Sequence, residues 1–332
     1  MVQRTDPVTA MNRNPDAITR MIREAERIAI CSHINPDGDT LGAAAAMRLA
    51  LLKMGKKPAI FCDGKVPDQL SFLPGIGEMR VPDGTEDPFD LLLAVDVSDI
   101  RRLGNCEKLI PISRHTAQID HHPTNPLYME ENSVDGDAPA SCILIREQIA
   151  SLGVEIDGDI AVCLYTGIST DTGNFAFAST NAECFEIMSE LMGKQLPLAK
   201  LNRILFRERA KPQVLLMGRA LNSLKYYENG QIAVMKLTMH DFEECGALSE
   251  HADTLVNFGL DTVGTRMAML ARESEDGSIK FSLRAKEPDS VSDIAQQFGG
   301  GGHPQASGIT MYGKLDETAG CVLDALVRKL NG

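Results

Sequence analysis

The sequence predicts an α/β fold in two parts: a mainly parallel sheet flanked by helices, linked by helix to a smaller α+β domain. Three observations predict it. In the first half, short apolar runs alternate with helically spaced segments, and several runs end in a carboxylate or an imidazole. One of them, Asp90-Leu-Leu-Leu-Ala-Val-Asp96, is continuously apolar, as suits a parallel strand buried on both faces. The second half groups strand-like runs around short helices and closes with an amphipathic helix over 315–330. At 332 residues there is room for two ordinary domains. The expected divisions are 1–190, a helical link over 191–226, and 227–332.

Taken in order, residues 16–27 suit an amphipathic helix with Ile18, Met21, Ile22 and Ala25 on one side. Arg27–Ser32 reads as a buried strand. It leads into His33-Ile-Asn-Pro-Asp37-Gly-Asp39, a loop stiffened by Pro36 and loosened by Gly38. A helix is expected from Thr40, carrying Leu41, Ala44, Met47, Leu51 and Leu52 and ended by Gly55. Lys57–Cys62 reads as a second strand, and 67–88, rich in Gly, Pro and Asp, as surface connection. Thr116–Ile119 is another short apolar run, leading into Asp120-His121-His122-Pro123. Helical patterns cover 139–152 and 157–171; the second is apolar nearly all round and ends in Asp171-Thr-Gly-Asn-Phe175. From Glu186 to Tyr226 the chain is helical and charged, with a basic bias from Arg203, Arg207, Arg209 and Lys211.

In the second domain, Gln231–Lys236, Gly264–Leu270 and Ile279–Arg284 read as strands, and 238–245 and 249–258 as helices. A short helix over 290–298 has Ser290 or Ser292 as its cap. The run Gly299-Gly-Gly-Gly-His303 follows, before a strand at Ile309. Successive glycines let backbone N–H groups approach an anion closely, although a flexible linker has the same composition.

Composition narrows the function. With 43% apolar and 24% charged residues the chain is that of a soluble globular protein. No apolar run reaches the roughly 18 residues of a membrane span. Met1-Val-Gln-Arg-Thr-Asp-Pro7 lacks the apolar core of a signal peptide. Eight cysteines lie scattered without a Cys-x-x-Cys pair, so neither a disulfide framework nor a zinc knuckle is indicated and the cytoplasm is the expected compartment. A net charge of −13 argues against gripping long duplex DNA, which needs surplus Lys and Arg, but is compatible with short nucleotides.

The chemistry gathers at the expected ends of strands and helices: His33, Asp37, Asp39, Asp96, Asp120, His121, His122 and Asp171. Adjacent histidines flanked by Asp120 and Pro123 have no packing rationale, but the others have a plainer reading. Asn-Pro-Asp-Gly is a turn sequence, Asp96 a turn residue and Asp171 an N-cap for the next segment. Together they are oxygen and nitrogen donors with no thiolate, a set that suits Mn²⁺ or Mg²⁺. So many carboxylates in one site imply more than one cation, and two metals roughly 3.5–4 Å apart suit in-line displacement at phosphorus. Phosphoester hydrolysis is the inferred chemistry. No Gly-x-Ser-x-Gly elbow is present, and the glycine run is neither a Walker A loop nor a dinucleotide fingerprint.

These residues carry a resemblance. His33-x-x-x-Asp37-x-Asp39, Val95-Asp96-x-x-Asp99, Asp120-His121-His122, Asp171-Thr-Gly-x-Phe175 and the Gly-Gly-Gly-Gly-His303 run stand in the order found in DHH phosphoesterases with a DHH-associated domain. The chain most resembles their NrnA-type branch, oligoribonucleases that also act as phosphatases of 3′-phosphoadenosine-5′-phosphate (pAp). The resemblance implies two divalent cations, Mn²⁺ or Mg²⁺. His33, Asp37 and Asp96 would hold one and Asp39, Asp96, His121 and Asp171 the other, with Asp96 bridging. It further implies that His122 meets the scissile phosphate while Asp120 orients a ligand, these two forming the catalytic pair. Arg284, Gly300, Gly301, Gly302 and His303, with Asn257, would hold the rest of the nucleotide, and domain closure would select short substrates. Short RNA, dinucleotides such as pApA and pAp are the substrates so implied, for a monomer or homodimer. A phosphodiesterase completing cyclic-dinucleotide breakdown and an inert nucleotide sensor are the alternatives. A family II pyrophosphatase would share the metal shell but not the glycine–histidine run, and a RecJ-like exonuclease would need a further domain.

Overall fold

The computed structural model describes residues 12–331. The segment Met1–Pro7, read above for a targeting signal, lies outside them. The chain divides into two compact units, the first ending at Glu208 and the second beginning at Arg209. Residues 191–226 therefore fall partly in each.

The first unit begins with α1 (Pro15–Glu24), whose N-terminus is capped by Asn14 accepting from the Ala17 N–H. There follow β1 (Arg27–Cys31), α2 (Gly38–Lys53), β2 (Lys57–Phe61), β3 (Phe89–Val95), β4 (Ser113–Asp120) and β5 (Glu131–Val134). The helices α3 (Ser141–Ser151), α4 (Gly158–Asp171), α5 (Ala182–Met192) and α6 (Leu198–Phe206) complete it. The strands form one five-stranded sheet in the order β2-β1-β3-β4-β5, every pair parallel.

Side chains alternate across such a sheet, so both faces must be apolar for both to be covered. Ile28, Ile30, Leu91, Leu93 and Val95 belong to the core shared with the helices. Ala29, Cys31, Leu92 and Ala94 belong to a second core with Leu103, Cys106 and Leu109, from the 3₁₀ segment Ile100–Ile112. Each buried Leu removes about 1.5–3 kcal/mol of unfavourable exposure, so a charge in the middle of β3 is not tolerated. The strand order reverses between β1 and β3. Open α/β sheets carry their sites at that point, beyond the strands' carboxyl ends.

Helix α2 lies against α4 with little between the backbones. A Cβ at Gly42 would stand 2.5 Å from the Cys163 carbonyl oxygen, so only glycine permits this approach.

The second unit contains α7 (Lys211–Ser223), β6 (Lys225–Tyr227), β7 (Ile232–Leu237), α8 (Met239–Cys245), α9 (Val256–Leu260), β8 (Met267–Glu273) and β9 (Ser278–Ala285). It ends with α10 (Ser292–Gln297), β10 (Gly301–His303), β11 (Ala306–Tyr312) and α11 (Leu315–Asn331). Its six-stranded sheet runs β10-β11-β9-β8-β7-β6 and is antiparallel except for β7 with β8. One face packs on α10 and α11, the other on α7, α8 and α9.

Several expectations need correction. The first helix stops at Glu24, because Arg27 is already paired in the sheet. Helix α2 starts at Gly38 rather than Thr40, with Asp37 as N-cap, so Asp39 sits in its first turn. The 67–88 connection is not wholly superficial, since Leu70, Leu73 and Ile76 are buried in the main core. Asp171 caps no following helix; it ends α4, and Asn181 caps α5. The 249–258 stretch is a 3₁₀ turn (Ser249–Ala252) followed by the short α9. Neither Ser290 nor Ser292 caps α10; Val291 holds that position without a side-chain bond. Gly301 and Gly302 belong to an edge strand rather than a loop, and the N–H groups of Gly299 and Gly300 are taken by Gln296 and Ala295. That takes the Gly299 and Gly300 N–H groups out of any anion-binding backbone. Among the described residues no helix is long and apolar enough to cross a membrane, and the eight cysteines are unpaired.

Candidate metal centre

His33 follows β1. Its Nδ1 lies 2.6 Å from the Ile34 carbonyl oxygen, which can only accept, so Nδ1 carries the hydrogen. The Nε2 lone pair then faces Asp37 Oδ2 and Asp96 Oδ2, each 3.6 Å away. Asp37 is held by its capping role: Oδ1 accepts from the N–H groups of Asp39 and Thr40 at 3.1 and 3.2 Å, leaving Oδ2 for the site.

Asp39, wholly buried, accepts from the N–H of Ser141 at 2.6 Å and of Cys142 at 3.0 Å. Helix α3 has no side-chain cap of its own. A carboxylate from α2 supplies it, favoured further by the positive end of the α3 dipole.

Asp96 follows β3 with φ of 59°, a left-handed backbone that Asp tolerates better than most residues. Its N–H donates to the Ile119 carbonyl at 2.9 Å, holding the turn against β4. Oδ2 faces His33, while Oδ1 accepts from Ser141 Oγ at 2.9 Å and lies 3.5 Å from His121 Nε2. His121 repeats the arrangement of His33. Its Nδ1 is 3.1 Å from the Ala138 carbonyl oxygen, and Nε2 is 3.2 Å from Asp171 Oδ2 and 3.9 Å from Asp39 Oδ2. His122 Nδ1 donates to Asp120 Oδ1 at 2.8 Å and lies 3.7 Å from Asp96 Oδ1.

Among the described residues, three groups bring donor atoms within 4.8 Å of one another: His33–Asp37–Asp96, Asp39–His121–Asp171 and Asp96–His121–His122. Asp96 belongs to two of them. Asp120 belongs to none, because both its oxygens are turned to His122 and Asn125. Asp99 does not join either. It accepts from Arg101 N–H and Nε at 2.9 and 2.8 Å, which brings its pKa down to about 2.

The electrostatics identify what such a site would hold. Burial, then the charges of Asp96 and Asp171, hold Asp39 well above the usual carboxylate range. Burial also raises Asp171, against the opposing pull of His121. At His33 burial favours the neutral ring, but Asp37 and Asp96 outweigh it and push the pKa up to about 10. His121 is likewise pushed up to about 10, burial being outweighed by Asp171, Asp39 and Asp96. This is an excess of buried negative charge that cations relieve, with the imidazoles giving up their protons as ligands. Two thiols come near, but Cys62 and Cys142 donate to the carbonyls of His33 at 3.2 Å and Asp39 at 3.6 Å. Burial pushes Cys62 up to about 12 and holds Cys142 well above the ordinary thiol range, so neither supplies a thiolate. The donors that remain are nitrogen and oxygen, which fit Mn²⁺ or Mg²⁺.

The second unit carries the other residues singled out in the sequence. Arg284 on β9 pairs with Ala306 on β11, which pairs with His303 on β10, so all three share one face of that sheet. Arg284 is half-buried, which lowers its pKa against the opposing pull of Asp253, and its Nη1 donates to the Leu283 carbonyl at 3.0 Å. His303 is exposed, as is Asn257 on α9. Two supporting residues, Ser141 and Asn125, gave no signal in the sequence: a lone Ser at a helix start and a lone Asn before a proline have no distinctive spacing.

The DHH family N-terminal domain matches residues 27–168, and the DHHA1 domain matches 229–329. The chain is 34% identical to the bifunctional oligoribonuclease and PAP phosphatase NrnA of Thermus thermophilus, over 91% of this chain and 90% of that one. With the protein of the same name from Bacillus subtilis it shares 26% identity, over 89% and 92% of the two chains. Among solved structures, an exopolyphosphatase-related protein from Bacteroides fragilis superposes with a TM-score of 0.87 at 26% identity, covering 95% of each chain.

Proposed function

The chain belongs to the DHH family, and on that footing we propose that it is a two-metal phosphoesterase. Its reactions are the hydrolysis of short oligoribonucleotides, pApA among them, to nucleoside 5′-monophosphates, and of pAp to AMP. The observation that carries the reading is the convergence of three donor groups on Asp96 and His121, at the reversal point of a parallel sheet.

His33, Asp37 and Asp96 would hold one cation and Asp39, Asp96, His121 and Asp171 the other, Mn²⁺ being the proposed metal. Bound, the pair would supply Lewis acidity at the phosphoryl group and a water nucleophile at neutral pH. The protein does the rest. Carbonyls of Ile34 and Ala138 keep Nε2 of His33 and His121 turned inward. The start of α3 holds Asp39, and the Ser141 hydroxyl holds Asp96. His122, oriented by Asp120, would bond the scissile phosphate. Arg284, His303 and the backbone at Gly301 and Gly302 would take the remaining phosphate or base, Gly300 serving close packing, since a Cβ there would clash with Gly308. A cytoplasmic location suits eight unpaired thiols.

The test is release of phosphate and nucleotide by purified protein with Mn²⁺, comparing pAp, pApA, a long RNA and pyrophosphate. AMP from pAp and pApA, with little product from the long RNA, is expected. Cleavage of pyrophosphate alone would end the proposal, and nucleotide binding without turnover would point to a sensor.

A further inference from the structure

Asn125 belongs to none of the donor groups, yet it is 4% exposed and fully occupied by hydrogen bonds. Its Oδ1 accepts from the Leu127 N–H at 2.8 Å and from Gln118 Nε2 at 3.0 Å. A peptide N–H only donates, so this contact fixes which end of the amide is oxygen. The Nδ2 end therefore faces Asp120 Oδ2 at 2.6 Å, Gln118 Oε1 at 3.0 Å and the Val97 carbonyl at 3.2 Å. Behind it, Gln118 also donates to Asn132, its partner across the β4–β5 pair. Asn132 is closed off in turn by the backbone of Met129, accepting from its N–H at 3.2 Å and donating to its carbonyl at 2.8 Å. A buried polar network with every member satisfied is rigid and specifies one geometry.

That geometry reaches the metal centre from two sides. Asp120 is wholly buried, with Asn125 on Oδ2 and His122 Nδ1 on Oδ1. A carboxylate oxygen takes the accepting role, so His122 Nδ1 carries the hydrogen and the Nε2 edge is left for substrate. Val97 directly follows Asp96, and its carbonyl also takes the Tyr128 hydroxyl at 2.9 Å. We propose that Asn125 is a positioning residue. It keeps His122 in the Nδ1–H form through Asp120 and sets the distance between the Asp96 turn and the Asp120–His122 segment. The kinetic consequence rests on the phosphoesterase reading; the tautomer does not.

The test uses the full chain loaded with Mg²⁺. Asn125→Asp keeps an acceptor for Leu127 but turns an acceptor against Asp120, whereas Asn125→Ser retains a hydroxyl donor. In Asn125→Asp, kcat for pAp should fall about 10–100-fold, as for other partners that orient metal-site ligands, with KM little changed. The loss in Asn125→Ser should be smaller. In a His122→Ala background Asn125→Asp should cost several-fold less, the non-additivity expected of residues acting through one another. Imidazole ¹⁵N chemical shifts should report His122 as Nδ1–H in the parent and in Asn125→Ser, and a changed or mixed tautomer in Asn125→Asp. An unchanged tautomer in Asn125→Asp, or an equal loss with and without His122, would overturn the proposal. If the parent turns over none of the substrates, the functional reading fails, while the ¹⁵N shifts still decide the role of Asn125.

Discussion

The Ser141 hydroxyl donates to Asp96 across 2.9 Å while the Ser141 N–H donates to Asp39 across 2.6 Å. One residue thus orients carboxylates from two different elements. Replacing Ser141 by Ala removes the first bond and keeps the second. Mn²⁺ affinity should weaken about 10–100-fold, read by calorimetric titration. Unchanged affinity would mean that this bond serves the fold alone.

Asp171 should show a trade between stability and activity. Its carboxylate is buried beside Asp96 and Asp39, and its pKa is raised accordingly. Asp171→Asn relieves that repulsion, so the metal-free protein should melt higher, by about 1–3 °C. Turnover of pAp should vanish. A lower melting temperature without metal would show that the carboxylate bond to His121, at 3.2 Å, matters more than the repulsion.

The pH dependence has a definite sign. The pKa of His33 rises from 6.5 to about 10 in the metal-free fold, so its stabilisation is complete below 6.5 and is lost as pH climbs to 10. His121 behaves alike. Asp39 and Asp171, raised from 3.8, add stability only while protonated and lose it as pH rises. Metal-free protein should therefore weaken from mildly acidic to alkaline pH, whereas cation affinity should strengthen as ligand protons are released. Denaturant melts with and without Mn²⁺ across that range would check it, and parallel slopes would contradict it.

Gly42 and Gly167 separate packing from chemistry. A Cβ at Gly42 meets the Cys163 carbonyl at 2.5 Å, and one at Gly167 would collide with Cys142 and with the Asp39 carboxylate. Gly42→Ala should cost about 1–3 kcal/mol of stability and leave the cations' affinity nearly intact. Gly167→Ala should cost both. Thermal melts beside Mn²⁺ titrations distinguish them.

Arg284→Ala should raise KM for pAp about 10–100-fold, the worth of a charged hydrogen bond of about 1.5–3 kcal/mol, with kcat much less affected. Steady-state kinetics would show it. A pure kcat effect would place Arg284 at the reacting phosphate instead.

The clustering of the candidate donors was legible because they sit at the ends of apolar runs. His33 and Asp96 follow, and Asp120–His122 close, strands that hydrophobicity alone reveals. Strand β5 was invisible because Glu131-Asn132-Ser133-Val134 has no apolar alternation; Asn132 is buried for the amide network rather than for transfer free energy. Strand β10 was missed for a different reason. A glycine run has no strand propensity, and it pairs with Ala306–Gly308 through backbone alone. The start of α2 was misjudged because Asp37 reads as a turn residue and as a cap alike. Hydrogen bonds between remote residues, such as Ser141 with Asp39, have no local pattern at all.

The tertiary cap on α3 has a bearing on ancestry. Asp39 is a structural residue as much as a candidate ligand, because among the described residues the first turn of α3 has no other side-chain acceptor. A descendant that abandoned catalysis would still be selected to keep a carboxylate there. Among the described residues Asp171 has no such second employment: its side-chain bond is to His121, inside the candidate metal centre. When relatives are sorted into working enzymes and retired ones, the position of Asp171 is therefore the more telling of the two.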